Sequence, residues 1–215
     1  MNQQNINLDI IPVTAFQQNC SIIWDDNKNA AIIDPGGEGE KIIARVEQLG
    51  LNVQAILLTH GHLDHVGAAE QLKAHFNVPI YGANQLDDYW FASLPEQANQ
   101  FGLAEIQPFT PDRWLNQEGE HLKIGDFDFE ILHLPGHTPG HIGFIEHQKG
   151  IAFTGDVLFR GGIGRTDFPG GSFDQLIESI KSKLYPLPDE MIIIAGHGPY
   201  TTIGEEKRSN AFVRG

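Results

Sequence analysis

Thr59-His60-Gly61-His62-Leu63-Asp64-His65 places three of the chain's ten histidines within six residues. Uniform scatter would put about 0.3 there, so composition alone does not account for the cluster. Working outward, four apolar runs each end in a residue able to bind a metal. Ala55–Leu58 leads to His60, Phe127–Leu134 to His137, Ile151–Thr154 to Asp156, and Met191–Ala195 to His197. Residues at the carboxyl ends of sheet strands converge on one rim, where open α/β sheets place their sites. Gly136, Gly155 and Gly196 immediately precede three of these residues. Glycine there allows a tight turn and keeps a side chain away from an ion.

The donor set is five imidazoles (His60, His62, His65, His137, His197) and two carboxylates (Asp64, Asp156), with no cysteine among them. Imidazole and carboxylate suit zinc, iron or manganese, and the absence of thiolates excludes a sulfur-rich structural zinc site. Seven donors exceed one tetrahedral site. Three histidines for one ion, one aspartate and two histidines for another, and a bridging carboxylate would use all seven. Two divalent ions about 3.5–4 Å apart would lower the pKa of a shared water from about 15.7 to about 7. Burying these polar groups with no cation would cost several kcal/mol, so the cluster is expected to hold metal.

The rest of the chain narrows the class. With 215 residues, 40% hydrophobic content, 24 Gly and 12 Pro, it is a turn-rich globular chain with a sizeable core. A net charge of −14 opposes a nucleic-acid partner and an anionic membrane surface alike. No apolar run approaches the length of a membrane helix, and no secretory signal is visible at Met1. A single Cys20 fits a reducing compartment, so a soluble, cytoplasmic protein is expected.

Short strands are predicted at Asn19–Trp24, Ala30–Ile33, Ala55–Leu58 and around Ile80, with a helix through Ile42–Leu49 stopped by Gly50. A second helix carries Val66, Ala69, Leu72 and Phe76. The aromatic stretch Gln85–Leu115 reads as irregular, with helix near Tyr89–Phe91. His121–Ile124 and Phe127–Leu132 form a hairpin about Gly125-Asp126, and Ile142–Ile145 pairs with Ile151–Phe153. Ser172-x-x-Gln175 resembles a capping box opening a helix that buries Leu176, Ile177, Ile180 and Leu184, and Met191–Ala195 is the last buried strand. Hairpins interleaved with helices imply mixed sheets with helices outside.

At these residues the chain resembles the metallo-β-lactamase superfamily, whose hallmark T-H-x-H-x-D-H is Thr59–His65 here. Pro135–His141, Thr154-Gly155-Asp156 and Gly196-His197-Gly198 match its later elements in order, so the likeness runs from Asn19 to about Phe212. The resemblance implies an α/β fold of the αββα sandwich type with the site along one edge. It implies that His60, His62 and His137 hold one metal and Asp64, His65 and His197 a second, with Asp156 bridging. Aspartate rather than cysteine at 156 departs from the thiolate-containing, antibiotic-hydrolysing branch.

Within the superfamily, Leu158–Pro169 and the tail Glu206–Phe212 are similar to the short bacterial form of the glyoxalase II group, the hydroxyacylglutathione hydrolases. That likeness implies a single domain over 1–215, without the C-terminal helical domain by which longer members bind glutathione. The implied activity is metal-dependent hydrolysis of a small-molecule thioester such as S-lactoylglutathione, giving lactate and glutathione. A metal-bridging hydroxide would attack the carbonyl, with Asp64 orienting it as well as binding metal. Zinc is the default occupant of both positions, with iron or manganese as alternatives.

A persulfide dioxygenase of the same superfamily is the competing reading, with one iron on His60, His137 and Asp156. A nuclease is opposed by the charge, and a non-enzymatic metal-binding module would not need two donor sets arranged around an open water site. Weak β-lactam hydrolysis is a further activity to assay.

Around the donors, Asp34 fits either a second layer behind a metal-bound histidine or a turn after a strand. Thr59 is expected to bond backbone beside the site, and His141 to stand behind the donors. Arg165 could grip an anionic substrate or pair with Asp167. His133 reads as a satisfied sheet histidine, and His75, His121 and His147 as surface residues. Tyr89, Trp90 and Phe91 fit a hydrophobic cluster, a groove wall or a subunit interface, and Cys20 fits the core.

Overall fold

The computed structural model describes residues 6–215, and in it the strands' apolar residues face two ways. The first sheet runs β1 (Asn7–Val13), β2 (Gln18–Trp24), β3 (Asn29–Ile33), β4 (Asn52–Leu58) and β5 (Ile80–Gly82), in that spatial order. Its first three strands are antiparallel, whereas β3–β4 and β4–β5 pair parallel. The later strands are β6 (His121–Ile124), β7 (Phe127–His133), β8 (Ile142–Glu146), β9 (Ile151–Gly155), a small hairpin β10 (Leu158–Phe159) and β11 (Gly162–Ile163), β12 (Ile192–Ala195) and β13 (Thr201–Thr202). All but the hairpin form a second sheet, ordered β13-β12-β9-β8-β7-β6, in which only β9–β12 is parallel.

Alternation along β3 shows how the layers form. Ala31 and Ile33 point between the sheets, where they join Phe129, Ile131, Phe144 and Phe153. Ala30 and Ile32 point the other way, toward Ile42 and Val46 of α1 (Gly39–Leu49) and Leu72 of a later helix. On the far side of the second sheet, Ile145, Ala152 and Ile193 meet Leu176, Ile180, Leu184 and Ile203. Each large apolar side chain buried this way contributes about 1.5–3 kcal/mol. The layers are therefore helix, sheet, sheet, helix: the expected αββα sandwich.

Several boundaries differ from expectation. The helix through Val66–Phe76 is two pieces, α2 (Leu63–Val66) and α3 (Ala69–Phe76). A Cβ on Gly67 would sit 2.5 Å from the carbonyl oxygen of Gly36, and the Ala68 amide bonds Pro35 O. The neighbouring loop thus interrupts a helix whose apolar period runs straight on. The aromatic stretch holds two short helices, α4 (Asp88–Ala92) and α5 (Leu94–Gln100). Ser172 does cap α6 (Phe173–Ser179), accepting from the Gln175 amide. The continuation at Ile180–Leu184 widens to a π turn that keeps Ile180 and Leu184 buried, while Ile177 is only partly covered. Met191–Ala195 is not the last strand, because β13 and α7 (Ile203–Ser209) follow it. Cys20 is fully buried on β2, and burial pushes its thiol pKa up. No helix among the described residues is long and apolar enough to cross a membrane.

Candidate metal centre

The strands β4, β9 and β12 deliver His60, Asp156 and His197 to one edge of the sandwich, and the loop after β7 adds His137. That edge is stitched across the two sheets. The Asn19 amide bonds Gly196 O at 2.7 Å, and its side chain donates to the carbonyls of Ala195 and Gly198. Two glycines meet local demands there. A Cβ on Gly196 would lie 2.2 Å from Asp156 Oδ1 and 2.5 Å from His65 Cε1. Gly155 turns at φ +48°, left-handed backbone that glycine adopts without strain.

His60, His62 and His137 bring three ring nitrogens together: His62 Nδ1 is 3.1 Å from His60 Nε2 and 3.0 Å from His137 Nε2. Their outer nitrogens assign the protons. His60 Nδ1 lies 3.0 Å from Thr59 Oγ1, whose own proton goes to Asp34, so the imidazole donates there. His137 Nδ1 donates to Arg165 O at 2.7 Å. Both Nε2 atoms therefore present lone pairs to the same point, a contact only a cation or a shared proton can relieve. His62 Nε2 is buried without any hydrogen-bond partner.

Asp64, His65 and His197 form a second group. His65 Nδ1 donates to Asp34 Oδ2 at 2.9 Å and His197 Nδ1 to Phe16 O at 3.2 Å. Their Nε2 atoms face carboxylates: His197 is 3.2 Å from Asp64 Oδ2, and His65 is 3.3 Å from Asp156 Oδ1. His65 Nε2 and Asp156 Oδ1 are both buried and unpartnered by hydrogen bonds. Asp156 stands between the groups, its Oδ2 lying 3.6 Å from both His137 and His197. The seven side chains picked from the sequence thus converge, and their inward-facing nitrogens and oxygens, with His65 Nε2 and Asp156 Oδ1 buried and orphaned, fit bound cations.

Electrostatics separate the two groups. Burial and mutual repulsion hold His60 well below the ordinary histidine pKa, and burial with the nearby His137 lowers His62 to about 3. Burial also lowers His137. Burial opposes charge on His65 too, but Asp156 and Asp64 raise it well above its usual value. Asp156 shows the reverse: burial would raise its carboxyl, yet His65, His137 and His197 bring it below the usual carboxylate range. The second group is therefore a place that demands positive charge.

The surrounding residues sort clearly. Asp34 is a buried anchor rather than a free turn residue, since its carboxylate accepts from Thr59 N, Thr59 Oγ1 and His65 Nδ1. Thr59, expected beside the site, stands behind His60: its backbone carbonyl accepts from the Ile142 amide, and its hydroxyl donates to the Asp34 carboxylate. His141 is buried behind the donors, stacked on His60 and accepting from the Asp156 amide. His133 is satisfied by Pro139 O, and His75, His121 and His147 are exposed.

A groove of about 530 Å³ opens over the donors, walled by Phe16, Tyr89, Trp90, Phe101, Phe159 and Phe168. Phe91 belongs to the core, so the aromatic trio divides between wall and interior. Arg165 lines the groove, bonded through Nε and Nη2 to Asp167 and lying 4.5 Å over the Phe168 ring. Of its two expected roles, the pairing with Asp167 is the one formed. Sequence reasoning missed Asp87 and Gln97, buried polar residues whose side chains bond the backbone of the His60–Leu63 turn. Neither ends an apolar run nor sits in a motif, so only the tertiary structure reveals them.

An αββα sandwich carrying histidine and aspartate donors along one edge defines a class of metal-binding folds, and the chain belongs to the metallo-beta-lactamase superfamily, whose sequence profile matches residues 13–197. Over 208 residues it is 71% identical to the hydroxyacylglutathione hydrolase GloC of Haemophilus influenzae, covering 97% of this chain and 98% of that protein. Among solved structures, it resembles the BLEG-1 B3 metallo-beta-lactamase with a TM-score of 0.90 and 38% identity, over 97% of this chain and 100% of that one. It also resembles TTHA1623, solved in a di-iron-bound form, with a TM-score of 0.87 and 40% identity, over 95% and 100%.

Proposed function

We propose that this chain is a metal-dependent thioester hydrolase of the glyoxalase II type, converting S-lactoylglutathione and water to lactate and glutathione. The observation that carries the reading is the convergence of five imidazoles and two carboxylates beneath an aromatic groove, in a chain 71% identical to a hydroxyacylglutathione hydrolase. His60, His62 and His137 would hold one divalent ion, Asp64, His65 and His197 a second, and Asp156 would reach both. Bound there, the ions would supply an activated water at neutral pH and a Lewis acid for the thioester carbonyl. Zinc is the default, and the same donors accept iron or manganese; the di-iron form of TTHA1623 supports iron.

The chain's own side chains do the rest. Asp64, partly open to the groove, accepts a hydrogen bond from the attacking water and so fixes its direction. Trp90 and Phe168 close over His62 at 4.4 and 4.8 Å between ring centroids and exclude bulk water from that side. Arg165, with 68% of its side chain exposed, presents its remaining N–H donors to a substrate carboxylate. The leaving thiol, with a solution pKa near ~8.5, departs as thiolate and needs no dedicated acid. The free, buried Cys20 accords with a reducing, cytoplasmic setting.

The dioxygenase alternative would use only His60, His137 and Asp156, leaving the lone pairs of His65 and His197 against carboxylates. Nothing in the geometry favours it. Stripping metal with a chelator and assaying S-lactoylglutathione hydrolysis tests the proposal. Activity should vanish and return on adding zinc, and hydrolysis that survives complete stripping would refute it.

A further inference from the structure

Four of the five donor histidines have their outer nitrogen fixed by an oxygen partner: Thr59 for His60, Asp34 for His65, Arg165 O for His137 and Phe16 O for His197. His62 has none, because its inward Nδ1 faces His60 and His137 while its Nε2 is buried and unpartnered. An imidazole with no outer hydrogen bond is free to rotate and slide unless something else holds it.

The segment 84–97 supplies that hold through the backbone on either side of His62. Asp87, fully buried, accepts from the amide of Gly61 at 3.0 Å. Gln97 accepts from the Leu63 amide at 2.9 Å and donates to Trp90 O at 2.8 Å, with Gly61 O at 3.4 Å. The residues on either side of His62, Gly61 and Leu63, are thus tied through their backbone to two side chains of one segment. That segment also packs the Trp90 ring edge-on to the imidazole. A Cβ on Gly61 would lie 2.6 Å from Trp90 Cβ, so the turn and the segment are in direct contact.

Asp87 reaches further. The same carboxylate accepts from Thr138 Oγ1 at 2.8 Å and the Gly140 amide at 2.6 Å, on the loop that carries His137. One buried side chain therefore joins the two loops whose histidines form the first donor group. Three donors on two oxygens suit a carboxylate; an amide at 87 would set an N–H against at least one of them.

We infer that Asp87 and Gln97 are positioning residues that take the place of the missing outer partner of His62 and set its spacing from His60 and His137. This rests on the proposed donor assignment, and the test separates the two. Full-length protein stripped of metal is titrated with Co(II) and followed by its visible absorption, and the metal-free melting temperature is measured alongside. His62→Ala should abolish one of two binding steps; two unaltered steps there would refute the donor assignment itself. Asp87→Asn should weaken that same step about 10–100-fold and alter its spectrum, leaving the other step intact. Two wild-type steps in Asp87→Asn, with one step lost in His62→Ala, would overturn this inference alone. If Asp87→Asn does not fold, Thr138→Val, which removes one of the three bonds, decides the matter: a several-fold weakening of the same step supports the inference and wild-type binding overturns it.

Discussion

His65 and His62 stand three residues apart in one motif and are held in opposite ways. His65 leans on Asp34, a carboxylate rooted at the end of β3 that also fixes Thr59. His62 leans on nothing at its outer nitrogen and is framed by a helical segment lying outside both sheets. The electrostatics follow the same division. The second donor group gathers carboxylates and calls for charge, whereas the first is three imidazoles kept neutral by burial and mutual repulsion. Asp34, at the end of a sheet strand, thus anchors His65 in one donor group, whereas in the other the backbone around His62 is bonded to the segment 84–97.

The largest loss is expected at Asp156, whose Oδ2 lies 3.6 Å from a histidine of each group. Asp156→Ala should lower S-lactoylglutathione turnover by at least about 10³-fold, the scale seen when a principal electrostatic group is lost. A loss below tenfold in steady-state assays would remove Asp156 from the centre.

On the sheet-borne side, Asp34→Ala should cost about 10–100-fold in activity through His65. It should also lower the metal-free melting temperature, since Thr59 N–H, Thr59 Oγ1 and His65 lose their common acceptor. Unchanged activity and melting would show that the β3 anchor does not matter. At the groove, Arg165→Ala should raise KM about three- to tenfold with kcat nearly constant, as expected for one charge-assisted contact at an exposed position. Its carbonyl still serves His137, so a fall in kcat instead of a rise in KM would contradict a binding role.

A further effect, on stability rather than turnover, concerns pH. Burial pushes the Asp87 carboxyl up to about 6, against an ordinary value near ~3.8. The folded state then binds this proton more tightly than the unfolded chain does, so this group's contribution to stability is full below about pH 4 and is lost as pH rises through about 6. The stability of metal-free wild type relative to Asp87→Asn should accordingly fall between those values. A flat difference in denaturant melts across that range would contradict the shifted carboxyl.

Much of this was readable in the chain. Four candidate donors, His60, His137, Asp156 and His197, could be found because each follows a continuous apolar run, and His62, Asp64 and His65 because they share one short motif with His60. The layering was legible from strands such as β3, apolar on both faces, which must be covered twice. Other features depend on partners distant in sequence. The interruption at Gly67 comes from the Gly36 loop, and β13 is two residues long, too short for any periodic signal. Asp87 and Gln97 sit in the aromatic segment whose period is weakest, and a buried carboxylate there looks like any turn aspartate. Their role exists only once the turns at Gly61 and Gly140 are folded against them.

Under the proposed function, two cations share these seven side chains and hydrolysis needs both. Metal-free protein is titrated with zinc, and bound metal and S-lactoylglutathione turnover are measured at every addition. Turnover should rise to its maximum only as the second equivalent binds. Full activity at one equivalent per chain, or purified protein holding a single iron that consumes oxygen on a glutathione persulfide and leaves the thioester intact, would contradict it.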